Sequence, residues 1–100
     1  MRQQTIESER TLVLRNLNQQ FYAARAQALA AAERYQLLGQ SVADADRNVQ
    51  ASIARYRSGE AQLIEVTDAL GTLASQRAAL YQALFDYQSA KARLVQVTAQ

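Results

Sequence analysis

The sequence predicts an all-α fold, a long antiparallel α-helical hairpin of coiled-coil type whose helices have the two-sided character of staves in an α-helical barrel. Three observations predict it. The 100 residues include no proline and only three glycines, Gly39, Gly59 and Gly71, in a composition led by alanine, glutamine, leucine and arginine, so little in the chain stops a helix. Apolar residues recur in alternating steps of three and four, the heptad spacing of a coiled coil. One break, at Arg57-Ser58-Gly59-Glu60, divides that pattern into two runs. The expected organisation is a single hairpin over residues 1–100, with helix 5–57, turn 58–62 and helix 63–97.

The first helix carries the longer seam: Leu14, Leu17, Phe21, Ala24, Ala28, Ala31, Tyr35, Leu38, Val42, Ala45 and Val49 follow one another without a miss. Ser52 and Tyr56 take the next steps, with Ile53 beside the first, so the seam softens toward the helix end. Gly39 lies off the seam, where it costs about 1 kcal/mol against alanine without breaking the helix. Four of the eleven seam positions are alanine, and small knobs bury little area at ~25 cal/mol per Å². A second apolar edge, Tyr22, Leu29, Leu37 and Ala43, implies contacts on more than one side.

At the break, glycine suits the left-handed position that ends a helix, and Arg55 and Arg57 favour the negative helix terminus. Apolar spacing resumes at Ala69, Leu73, Leu80, Ala83, Tyr87, Ala90, Leu94 and Val97, with Gln76 as the one polar interruption. Leu70, Ala74, Tyr81, Leu84 and Phe85 form a neighbouring stripe. So short a break leaves two long helices no close packing except antiparallel. At ~1.5 Å per residue the helices should measure roughly 75 and 50 Å, with residues 1 to about 10 extending past the second helix and fraying.

Composition excludes several functions. The net charge of +2 comes from 11 basic and 9 acidic residues mixed along the chain, which leaves no footprint for nucleic acid. No stretch approaches the ~20 apolar residues that span a bilayer, and the N-terminus has no apolar export signal. Histidine and cysteine are absent, which removes the commonest general base, metal ligands and thiolate nucleophile. Lys91 is the only lysine, and there is no phosphate loop. The chain is therefore read as a non-enzyme with no cofactor and no metal site.

The segment Arg55-Tyr56-Arg57-Ser58-Gly59-Glu60-Ala61-Gln62-Leu63-Ile64-Glu65-Val66-Thr67-Asp68-Ala69 resembles the hairpin tip of the TolC-like outer membrane efflux protein family. That tip has an aromatic or basic residue shortly before a glycine, then an acidic residue followed by Val-Leu-Asp-Ala and a long alanine-rich helix. Tyr56, Gly59, Glu65, Val66, Asp68 and Ala69 match, and the alanine-rich run from Gln76 to Leu94 continues in the family's manner. The resemblance covers roughly residues 45 to 97. Thr67 departs from the common leucine, and Ala61 stands where some members carry an arginine that ties neighbouring tips together; Arg55 or Arg57 would have to substitute.

The resemblance implies a C-terminal helical repeat, a fragment of a duct that exports small molecules or proteins. Its partners would be an inner membrane pump and a periplasmic adaptor, a membrane fusion protein, docking at the tips. The full-length family is a homo-oligomer, a trimer, whose hairpins join edge to edge. This segment would be the periplasmic portion of a cell outer membrane protein of Gram-negative type, meeting the membrane only through a β-barrel part that the sequence lacks. Alone, two-sided alanine-rich helices are expected to form a dimeric four-helix bundle or a higher oligomer. The alternative is a stand-alone coiled-coil interaction module such as a periplasmic adaptor hairpin, although the arginine, leucine and serine pattern of adaptor tips is not found at this turn.

Glu65 and Asp68, three apart, share one face of the first turn of the second helix. Acidic groups there offset the helix macrodipole by ~0.3–1 kcal/mol each, which accounts for them in itself. The resemblance makes them tunnel-mouth candidates, a threefold carboxylate ring that attracts cations. Tyr56, Arg57 and Gly59 are the tip-contact candidates. Tyr56 is either a seam knob or a tip residue bonding an adjacent hairpin; Gly59 is a turn glycine on both accounts. Asp44 and Asp46 face solvent or a tunnel lumen.

Overall fold

A computed structural model describes residues 2–99, with side chains from Glu7 to Ala99. Two α-helices make up almost all of it, α1 (Arg2–Arg57) and α2 (Leu63–Ala99), folded into an extended hairpin with no strand among the described residues. The molecule measures 86 × 17 × 15 Å. Its long dimension is that of α1 alone, 56 residues at ~1.5 Å each.

The heptad spacing decides which residues meet. Nine of the eleven seam positions of α1 are buried or half-buried, and so are all those of α2 from Ala69 to Val97, Gln76 included. The best-packed stretch lies near the bend, where Ala45 and Val49 of α1 close on Ala69 and Leu73 of α2, flanked by Val42 and Ile53. Toward the open end the seam thins to Ala24, Ala28 and Ala83, and the Tyr35 and Tyr87 rings stack across it with centroids 6.4 Å apart. Six of the nine buried apolar residues are alanines. The helices thus approach closely but bury little area per residue.

Two sequence expectations need correction. Leu14, expected to open the seam, is 60% exposed, because α2 ends before reaching its level and leaves residues 7–16 of α1 entirely exposed. The overhang is also longer than the ten or so residues expected. The backbone is helical from Arg2 rather than frayed; Met1, part of the same expectation, lies outside the described residues.

The rod exposes 7953 Å². A compact chain of 11.1 kDa exposes about 5,700 Å². The overhang and the second stripes expected from the sequence both contribute to the excess: Tyr22, Leu29, Leu37, Leu70, Tyr81 and Phe85 all stay largely exposed. Among the described residues, no helix is long and apolar enough to cross a membrane.

The packing predicts a sharp contrast between two leucine truncations. Leu73→Ala, at a position 5% exposed, should lower unfolding stability by ~2–3 kcal/mol. Leu12→Ala, on the overhang at 62% exposed, should stay within ~0.5 kcal/mol. Urea unfolding followed by circular dichroism measures both, and equal losses would contradict the packing described.

Candidate functional site at the hairpin tip

The residues singled out in the sequence gather at the bend. Gly59 sits at φ 81°, the left-handed conformation that L side chains rarely adopt. This step lets two backbone bonds close the end of α1: the Glu60 N–H donates to the Arg55 carbonyl at 2.8 Å and the Gly59 N–H to the Tyr56 carbonyl at 3.1 Å. That pair of bonds is the Schellman arrangement of a glycine-terminated helix.

The Arg55 carbonyl is the hub of the turn. Besides Glu60 it accepts the Ala61 N–H at 3.2 Å and the Ser58 hydroxyl at 3.0 Å. The chain then re-enters helix with the Glu65 N–H donating to the Gln62 carbonyl at 3.0 Å. Ala61 is the only buried residue of the turn, 9% exposed. It carries no periodic signal, since it belongs to neither seam.

Side chains above this frame are exposed. Tyr56 is 46% exposed, so the end of the seam is filled by buried Ser52 and half-buried Ile53 instead. Arg57, Gly59 and Glu60 are exposed at the extremity. Glu65 and Asp68, one turn apart at the start of α2, are both exposed, but their surroundings differ. Arg55 Nη1 lies 3.6 Å from Glu65 Oε2 across the bend. With both side chains about half exposed, such a pair contributes ~0–1 kcal/mol. The Arg55 side chain is therefore engaged within its own hairpin.

Chemically, the tip offers carboxylates in water beside an arginine and no enclosing pocket. No group of three or more metal-capable side chains occurs among the described residues. The concavities of the rod are open grooves along its sides, such as one of about 410 Å³ lined by Asn16, Gln20, Gln27, Arg93 and Gln96. This arrangement suits contact and electrostatic attraction.

Fold and tip together define an extended coiled-coil hairpin with a glycine-closed, charged end. Comparison with family models, with curated proteins and with solved structures finds no match to this chain.

The turn predicts opposite outcomes for two glycines. Gly59→Ala should cost ~1–2 kcal/mol through its left-handed backbone alone, as a Cβ there meets nothing within 4 Å. Gly71→Ala, in the interior of α2 with the same open space, should gain ~0.5–1 kcal/mol. Denaturant midpoints check both signs. At the buried turn position, Ala61→Arg should cost ~1–3 kcal/mol by forcing the bend open; unchanged thermal unfolding would show that the position tolerates bulk.

Proposed function

We propose that this hairpin is the periplasmic tunnel and tip segment of a TolC-like outer membrane duct, exporting small molecules or proteins together with an inner membrane pump and a periplasmic adaptor. The observation that carries the reading is a coincidence of motif and geometry. The stretch that resembles the family's tip, Tyr56 to Ala69, is the stretch that makes the reversal, with Gly59 supplying its left-handed step. The same stretch leaves Tyr56, Arg57 and Glu60 exposed for contact. The exposed second stripes on both helices add support, because a barrel stave needs neighbours on two sides.

Within this reading, the two carboxylates divide their roles. Arg55 offsets much of the charge of Glu65, so the cation-attracting ring at the mouth rests mainly on Asp68. The adaptor meets the tip residues Tyr56, Arg57 and Gly59. Homo-oligomerisation, a trimer in the parent duct, closes the tunnel.

Cysteine crosslinking in a membrane-inserted parent carrying both helical repeats tests the proposal. Asp68→Cys should give disulfide-linked subunits on oxidation, and Asp68→Asn should lower the preference of the pore for cations over anions. If neither Asp68→Cys nor Glu65→Cys joins subunits in an assembled parent, the tunnel-mouth reading is overturned. A stand-alone interaction module then takes its place.

A further inference from the structure

The two long sides of the hairpin differ in chemistry, and the grooves show which residues belong to which side. One groove is lined by Arg25, Leu29 and Ala32 of α1 together with Tyr87, Lys91 and Leu94 of α2. Another is lined by Asn16, Gln20 and Gln27 of α1 with Arg93 and Gln96 of α2. Both helices keep their heptad seams on each other, so each flanking stripe stays on its own side for the length of the rod. The Arg55–Glu65 pair, far from these grooves, confirms the register: stepping by sevens, Gln20 leads to Arg55 and Arg93 leads to Glu65.

Extended in this way, the first side carries Tyr22, Leu29, Leu63, Leu70, Tyr81 and Val95, all exposed by 49–68%. The second side carries Gln27, Arg34, Asn48, Gln82, Ser89 and their like, with Leu37 and, on the overhang, Val13 among its large exposed apolar residues. The first side is thus much the richer in large apolar residues, with Asp46 and Arg77 as charged positions among them, and the second side is polar.

We infer that the apolar side is covered by the apolar side of a second copy of this chain, lying antiparallel to form a four-helix bundle. This inference does not rest on the duct reading. Area is the first argument. The paired part of the rod is about 50 Å long by helix rise and 17 Å across, which offers on the order of 800 Å² per partner, the size of a specific protein interface. Self-complementarity is the second, since one patch that meets itself makes a closed twofold dimer.

Charge fixes the orientation. Arg25 and Lys91 line the same groove at the open end of the apolar side. A parallel pair would gather four cations there, whereas an antiparallel pair sends them to opposite ends. The Tyr35–Tyr87 stack sets the register between the helices and brings Tyr81 level with the Gly39–Ser41 segment near the middle of the rod. Tyr81 is 68% exposed, and a Cβ on Gly39 would meet nothing within 4 Å. A twofold axis lying across the interface at this level sets α2 of one copy over α2 of the other, so the two Tyr81 side chains meet near it and the two Gly39 positions leave room beside them.

The chain has no cysteine, so single cysteines report the geometry directly. The unmodified chain should sediment as a dimer at micromolar concentration. On oxidation, Tyr81→Cys should give a covalent dimer. Arg34→Cys, on the polar side, and Lys91→Cys, roughly 30 Å from its counterpart in the antiparallel arrangement, should not. All three positions lie off the seam, so the hairpin folds in each variant, as circular dichroism can verify. Sedimentation as a monomer overturns the proposal, as does efficient crosslinking through Arg34→Cys. Crosslinking through Lys91→Cys overturns the antiparallel orientation.

Discussion

A seam built largely of alanine can slide. Alanine knobs look much alike when two helices shift by a heptad, and each contributes little burial to penalise the wrong alignment. What removes this freedom is the bend, where Gly59 takes a left-handed step and the Arg55 carbonyl gathers bonds from Ser58, Glu60 and Ala61. With only five residues, 58–62, between the helices, the first contacts past the turn follow directly. Ala45 and Val49 close on Ala69 and Leu73 as the first buried cluster past the bend. The register then runs outward to the Tyr35–Tyr87 stack.

The same constraint explains where the larger apolar side chains sit. Near the bend, Val49 and Leu73 join Ala45 and Ala69 in a buried cluster flanked by Val42 and Ile53. Farther out, the buried seam residues are alanines, while larger seam residues such as Phe21, Leu38, Leu80 and Leu94 are only half-buried and others sit exposed on the flanks. Close approach between helices and a rich internal core are competing uses of the same positions. This chain takes close approach, which leaves much of its larger apolar surface exposed.

Much of this was legible in the sequence because heptad spacing is a local property. Steps of three and four marked the buried side of each helix, and Gly59 between two such runs marked the reversal. What was not legible depends on how the helices are aligned. Leu14 continues the seam by spacing, yet lies beyond the reach of α2 and is exposed. Ala61 carries no periodicity, yet packs beneath the turn. Arg55, by resemblance a candidate link to another tip, is placed by the bend beside Glu65 of its own hairpin. The division into one apolar and one polar side also needs the antiparallel pairing, which decides which flank of α1 shares a side with which flank of α2.

That division bears on both proposed assemblies, since they draw on overlapping apolar surface. In a duct anchored in a membrane, every tip points the same way, so an antiparallel twofold pair is forbidden by the attachment. Neighbours must then join edge to edge around a ring, a heterologous contact that closes by rotation. A free hairpin has no such restraint, and repulsion between the Arg25 and Lys91 ends favours the antiparallel pair. The ring uses the outer stripe of each helix one at a time, whereas the dimer uses the flanks of both helices at once. On these two proposals, a hairpin already paired face to face would have to release its apolar side before joining a ring, so tethering, rather than any change in the sequence, would select between the two assemblies.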